Sequence, residues 1–336
     1  MRALVVRLDS FGDVLLAGPA VRAVAHRADR VAVLCGPRGA PAARMLPGVD
    51  EVLVWDAPWV GFTPPPVDRA DVDRVVNRIA AARADTALVL TSYHQSPLPA
   101  ALLLRMAGVR HIAADSVDFP GALLDVRHRR APHAHEAEAA LDLAEAAGFP
   151  RPPGDDGRLR VHHAAGGAPE LTGPGPYVVV HPGASVAARR WSPARCAQAV
   201  RLLAAAGHRV VVTGGPDERE LTALVAGRHG LDLGGRTRPP ELAAVLAGAG
   251  AVVTGNTGPS HLAAAVGTPV VSLFSPVVPA ERWGPYGVPQ VLLGDQRAPC
   301  ADSRARECPV PGHPCLNEVT AEDVVAAVEK LLEADE

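Results

Sequence analysis

A chain of 336 residues holds enough material for two domains of ordinary size, and with 48% hydrophobic but only 4% aromatic residues its cores must be built from Ala, Val and Leu. The formal net charge of −3 gives no global basic field, so no nucleic-acid partner is expected. The single lysine, Lys330, leaves arginine as the cation for any anion site, which suits phosphate. The N-terminus enters a strand-like run at Ala3 without the basic, apolar and cleavage regions of a signal peptide. No apolar run approaches the ~18 residues of a membrane span. The expectation is a soluble cytoplasmic protein, and five cysteines in this length do not read as a disulfide framework.

In chain order, strands are expected at 3–8 (ALVVRL), 30–35, 51–55, 86–90 and 110–114, with helices near 13–27, 69–84 and 97–107 between them. The stretch 131–150 reads as one long helix ending at Gly148 and Pro150. Residues 151–176 are rich in Gly and Pro and read mainly as linker, and the Pro-rich 58–71 as a loop. A second series of strands follows at 177–183, 208–215, 231–235, 250–256 and 269–274, with helices at 193–206, 217–229, 239–248 and 259–266 and a last amphipathic helix from about 321 to 332. The rhythm predicts two similar α/β domains with parallel sheets and a cleft between them. The boundaries are 1–160, a linker at 161–176, 177–318, and a terminal segment 319–336.

Ligands bind beyond the carboxyl ends of the strands in such sheets, so the loops there carry the candidates. In DSFGD, Gly12 is expected to allow a tight turn into a helix and Asp13 to stand at the helix start. Asp13 is either a helix-end carboxylate, worth about 0.3–1 kcal/mol, or an ionised base that accepts a proton from a hydroxyl. In TGNTGPSHL, residues 254–262, a short loop opens a helix with Pro259 in its first turn, and free N–H groups make an anion site to which Ser260 and His261 add donors. An ordinary Gly-rich turn fits the same residues, since neither a Walker nor a GxGxxG pattern is present. In HPGASVAARRWSP, Arg189 and Arg190 lie in a loop on the same edge, as a diphosphate clamp or as a solvated pair.

These three segments, with LGGRTRPPELAAVLAGAG before the glycine-rich turn, resemble the heptosyltransferases of glycosyltransferase family 9 over essentially the whole chain. The resemblance implies a GT-B architecture, two Rossmann-like domains facing across a cleft, with acceptor in the first and nucleotide-sugar donor in the second. It also implies that the final helix crosses back onto the first domain. Asp13 matches the family's general base, with Ser10, Gly12 and His94 on the acceptor side. Arg189 matches a lysine at the phosphates, with Arg190 beside it. Asn256, Thr257, Gly258, Pro259, Ser260 and His261 match the donor-binding turn, Thr237 the nucleobase contact, and Glu218 an acid that holds donor hydroxyls. Asn256 stands where the family commonly has aspartate.

The function implied is inverting transfer of a heptose-like sugar from a nucleotide diphosphate sugar, ADP-linked by resemblance, to a hydroxyl of an envelope glycan or glycolipid, without a metal or other cofactor. A glycolipid acceptor would bring the protein to the inner face of the plasma membrane, although no strongly basic amphipathic helix is visible. The alternatives are another GT-B enzyme on nucleotide sugars, such as an epimerase, for which His94 and Asp115 would be further acid–base groups, and an inactive nucleotide-sugar-binding protein. Cys300, Cys308, His313 and Cys315 form a Cys3His inventory, but seven and six residues between successive cysteines are not common zinc spacings, so no structural metal is expected. Cys35 and Cys196 read as core residues.

Overall fold

The computed structural model describes residues 1–61, 63–164 and 167–334. Phe62 of the Pro-rich loop, Ala165 and Gly166 of the expected linker, and Asp335 and Glu336 of the terminal segment lie outside the described residues. The chain forms two compact units, Met1–Val161 and His162–Glu336.

The first unit contains strands β1 (Arg2–Arg7), β2 (Arg30–Cys35), β3 (Glu51–Val54), β4 (Thr86–Val89), β5 (His111–Asp115) and β6 (Val126–His128). They lie in the order β3-β2-β1-β4-β5-β6, all parallel. Helices α1 (Phe11–Leu16), α2 (Gly18–Ala25), α3 (Ala40–Ala43), α4 (Arg69–Ala82), α5 (Leu98–Met106) and α6 (Glu136–Ala146) connect and cover them. A parallel sheet is covered on both faces, which is why β1 is buried continuously from Ala3 to Arg7. Leu4, Val6, Val89 and Ile112 on one face pack with Val75 and Ile79 of α4 and Leu104 of α5.

The helix expected at 13–27 is two helices, because Pro19 in the first turn of α2 has no N–H to continue the α1 ladder. The helix expected at 131–150 shortens to α6. His133 has a left-handed φ of 64°, and His135 caps α6 by accepting from Ala137 N at 3.2 Å. The strand β6 was not legible because it is a three-residue edge strand with half-exposed and exposed side chains.

The second unit contains β7 (Val178–His181), β8 (Val210–Val212), β9 (Leu231–Asp232), β10 (Ala251–Gly255), β11 (Val270–Leu273) and β12 (Gln290–Leu293), ordered β12-β11-β10-β7-β8-β9 and again all parallel. Its helices are α7 (Gly167–Thr172), α8 (Pro193–Ala205), α9 (Arg219–Ala226), α10 (Pro239–Ala247), α11 (Gly258–Ala265), α12 (Ala280–Trp283), α13 (Pro314–Asn317) and α14 (Ala321–Glu333). Each sheet sets its first strand beside its fourth, so the two units share one topology.

Two segments of the second unit take defined places. Part of the expected linker folds: α7 packs on α10, and the Arg209 guanidinium donates to the carbonyls of Thr172, Pro174 and Gly175. The apolar stripe of the final helix is buried within the second unit. Val324, Ala327, Val328 and Leu331 of α14 form one stripe buried with Leu203 of α8 and Val253 of β10. Thr320 starts α14 by accepting from Asp323 N at 3.1 Å.

Candidate functional site

In both sheets strand order reverses between the first strand and the fourth, and ligands of doubly wound sheets bind at the carboxyl ends of that pair. The β1–α1 and β4–α5 loops meet there in the first unit. The β7–α8 and β10–α11 loops meet there in the second. The segments singled out in the sequence fall on these loops.

In the first unit a charge cluster closes the end of β1. Arg7 is only 3% exposed. Its Nε pairs with Asp9 Oδ2 at 3.0 Å, and its Nη2 donates to Asp13 Oδ1 at 3.2 Å, Ser92 Oγ at 3.0 Å and Glu136 Oε2 at 3.4 Å. Asp9 accepts on its other oxygen from Gln95 Nε2 at 2.6 Å. Glu136 is held from behind by Arg130 Nη1 at 2.9 Å, and Arg130 also reaches Asp115 at 2.9 Å, which in turn meets His128 Nδ1.

Four carboxylates thus share two guanidiniums. Burial pushes the Asp9 carboxyl up to about 6, against the pull of Arg7 and the hydrogen bond from Gln95. Burial also raises Glu136, partly offset by Arg7 and Arg130. Burial works against the charge of Arg7, but Asp9, Asp13 and Glu136 outweigh it and hold the guanidinium above its ordinary value.

Asp13 keeps 18% of its side chain exposed. Its Oδ2 accepts from Ser10 N at 3.2 Å and Ser10 Oγ at 2.6 Å, so it does hold the start of α1 as the third-residue half of a capping box. Gly12 lies buried inside α1 and is not among the glycines with left-handed φ. The close approach at this loop comes instead from Gly36, where a Cβ would stand 2.6 Å from Leu8 O, and Gly39, where it would stand 2.7 Å from Val14. His94 is exposed and sets its ring edge-on to Tyr93. The residues of its loop that join the cluster are Ser92 and Gln95.

In the second unit a small pocket is lined by His181, Pro182, Arg189, Trp191, Cys196 and Gly255, among others. A Cβ at Gly255 would lie 2.9 Å from Arg189 O, so glycine lets the two loops touch. Arg189 Nη1 donates to Asn256 O at 3.5 Å, whereas Arg190 is exposed and braces its own loop through Ala184 O at 2.9 Å. Trp191 is buried and donates to Val319 O at 3.3 Å.

Thr257 caps α11, Gly258 and Pro259 form its first turn, and Ser260 and His261 follow, both buried; Ser260 Oγ finds no hydrogen-bond partner. Asn256 is buried, and both ends of its amide are used on one residue. Its Nδ2 donates to Ser275 O at 3.2 Å and its Oδ1 accepts from Ser275 N at 3.3 Å.

Glu218 sits over three glycines. It accepts from Gly215 N at 2.8 Å, and a Cβ at Gly183 would fall 2.0 Å from its Oε1. His181 Nε2 lies 3.9 Å from the same carboxylate and its Nδ1 meets Thr213 Oγ1 at 3.0 Å; burial lowers the His181 pKa despite Glu218. Thr237 is half-buried in the loop that follows β9, on the same sheet edge.

A profile of glycosyltransferase family 9 (heptosyltransferase) matches residues 72–313. The chain belongs to glycosyltransferase family 9. The lipopolysaccharide heptosyltransferase 1 of Pseudomonas aeruginosa is 30% identical over 342 residues, covering 92% of this chain and 87% of that protein. The lipopolysaccharide heptosyltransferase 3 of Escherichia coli is 34% identical over 165 residues, 46% of this chain, and the match spans only about half of that relative, 47%. The solved ADP-heptose lipopolysaccharide heptosyltransferase II of E. coli has the same fold, with a TM-score of 0.77 at 20% identity, covering 100% of this chain and 99% of that one. The profile match opens in α4, so the β1–α1 loop of this family 9 chain lies outside it.

Sequence reasoning missed Arg7, Asp9, Ser92, Gln95, Arg130 and Glu136 as site residues of this family 9 chain. Arg7 did carry a signal, being a charge at the end of an otherwise apolar strand. Glu136 carried none, since a carboxylate in a first helical turn is ordinary. The cysteine tail folds with the second unit: Cys300 and Cys315 are buried, Cys308 is half-buried, and all are free thiols. Burial, with Cys300 and Cys308 nearby, pushes the Cys315 thiol up to about 11. Cys35 and Cys196 are buried, as expected of core residues, and burial raises them to about 11 and about 12. Among the described residues no group of three or more metal-type ligands converges, and no helix is long and apolar enough to cross a membrane.

Proposed function

We propose that this chain transfers a heptose-like sugar from an ADP-linked donor to a hydroxyl of an envelope glycolipid, with inversion at the anomeric carbon. The observation that carries this reading is Asp13. It is a partly exposed carboxylate at the switch point of the first sheet, with each oxygen already oriented by a donor. The printed names of the relatives support the donor and acceptor class, since they act on lipopolysaccharide and one is an ADP-heptose enzyme.

Asp13 takes the proton of the acceptor hydroxyl as that oxygen forms a bond to the anomeric carbon and the bond to the diphosphate breaks. The leaving diphosphate gains negative charge. The N-terminus of α11 and Arg189 supply the positive charge that meets it, so the reading requires no metal. Glu218, anchored on Gly215, faces donor hydroxyls, and Thr237 lies beside the nucleobase. Asn256 ties the β10 turn to Ser275, which supports a structural role for its amide beside the donor turn. Work at the membrane face follows from a glycolipid acceptor.

The test is Asp13→Asn. Asparagine still offers an oxygen to Ser10 N–H but sets its NH2 against Arg7 Nη2, so the melting temperature should fall modestly, while transfer per folded molecule should fall by about 10²–10⁴-fold. Wild-type turnover in this variant, with ADP-heptose and a lipopolysaccharide-core acceptor, would sink the assignment.

A further inference from the structure

Arg7 does more than neutralise its surroundings. Four apolar, buried residues precede it in β1, so the strand delivers one guanidinium into a closed space. There an acceptor stands beside each of its nitrogens, although Nε and Asp9 Oδ2 pair by charge without a hydrogen bond. Asp9 holds Nε, while Asp13, Ser92 and Glu136 share Nη2 at 3.0–3.4 Å, and Nη1 also reaches Glu136 at 3.4 Å. Its partners are fixed from behind by Gln95 on Asp9 and Arg130 on Glu136. Only Asp13, among the carboxylates that touch Arg7, keeps a substantial exposed surface; Asp9 keeps 10% and Glu136 1% of the side chain, against 18%.

We propose that Arg7 is a positioning residue: it fixes the Asp13 carboxylate in one orientation and sets a positive charge beside it, with Asp9, Gln95, Glu136 and Arg130 as the frame that fixes Arg7. This rests on the reading of Asp13 as the base. The charge-bearing groups of the cluster come from several elements at this end of the sheet: Arg7 and Asp9 from β1 and its loop, Asp13 from α1, Asp115 from β5, His128 from β6, Arg130 after it, and Glu136 from α6. Asp9 and Asp13 compete for one cation. Removing the cation removes the charge that favours the ionised form of both carboxyls.

The experiment is the pH profile of kcat for wild type, Arg7→Met, Arg7→Lys and Asp9→Asn, with donor KM measured alongside. In Arg7→Met, kcat should fall by about a hundredfold, the scale of a misplaced base, with donor KM nearly unchanged. Its acid limb should move up by about 1–3 pH units, the scale of an opposite charge at this distance. Arg7→Lys restores the charge and should bring the limb back. Asp9 itself takes up its proton near 6, so Asp9→Asn should leave a limb below that pH in place. If Arg7→Met fails to fold, Arg7→Lys carries the test, since it keeps the charge but not the fork, so kcat should fall with donor KM nearly unchanged, and wild-type kcat in it would overturn the proposal. A purely structural Arg7 would lower the melting temperature of its variants and leave every limb where it is in wild type, which overturns the proposal. Wild-type turnover in Asp13→Asn would instead overturn the base reading itself. An inactive Asp13→Asn with unmoved limbs in the other variants sinks the positioning role alone.

Discussion

An amide and a carboxylate are nearly the same shape, yet at position 256 they do different work. Asn256 offers one donor and one acceptor to the main chain of Ser275, and the site is buried. A carboxylate keeps the acceptor half and sets an oxygen against the Ser275 carbonyl in place of the N–H. Asn256→Asp should therefore cost about 1–3 kcal/mol, the scale of an unsatisfied buried group, read as a lower urea midpoint. An unchanged midpoint would mean that the amide pair does not hold the β10 and β11 loops together. The same logic separates Arg189 from Arg190. Neighbours in sequence, they point to different carbonyls, and only Arg189 lies against the α11 turn.

At the scale of an element, α14 shows how a helix chooses its partner. Its stripe Val324, Ala327, Val328 and Leu331 recurs at three- and four-residue steps, which fixes that it must pack but not on what. In the structure it lies on α8 and β10, and Leu332 reaches the place a Cβ of Gly250 would occupy, 2.7 Å away. Leu331→Ala should remove about 2–5 kcal/mol of local stability. Amide hydrogen exchange gives the location. Protection should fall in α8, β10 and β11, while β1 and β4 keep theirs. Loss of protection in β1 and β4 instead would put the helix on the first unit after all.

For the whole molecule, the two units should respond to acid in opposite senses. In the first, burial holds Asp9 up near 6 and raises Glu136, so the folded state binds protons that the unfolded state releases. Stability from these groups therefore rises as pH falls from about 6 towards the ordinary carboxyl values near 4. In the second unit, burial lowers the His181 pKa, so the unfolded state binds the proton first. Stability from His181 is present above its ordinary value of about 6.5 and falls as pH drops below it. Below about 4 the first unit turns as well, because the hydrogen bonds from Arg22 hold Asp155 down near 2 and its contribution is lost as pH falls through that range. Calorimetry of the full chain at pH 7 and pH 5 should show the first unit's transition moving up and the second's moving down. Asp9→Asn should remove most of the first shift. Parallel movement of both transitions would refute this account.

The sequence by itself determined whatever repeats locally. Alternating apolar runs and helical stripes gave two parallel α/β units, because a strand buried on both faces and a helix buried on one leave their period in the chain. The βα loops with their Gly, Pro and charged residues were legible for the same reason, since turns and helix starts need particular residue types. Edge strands such as β6 were not, being short and half-exposed, nor was the break at Pro19 read as two helices. Only the tertiary structure decided which charges meet. Arg7 and Glu136 stand 129 positions apart and Gln95 and Asp9 86 apart, and no local pattern marks such pairs. They are brought together because β1 lies between β2 and β4, so the loops after β1 and β4 and the start of α6 converge on one end of one sheet. The same holds for Asn256 with Ser275 and for α14 with α8, where the helix's amphipathic face was written in the sequence and its partner was set by the space left in the second unit's core.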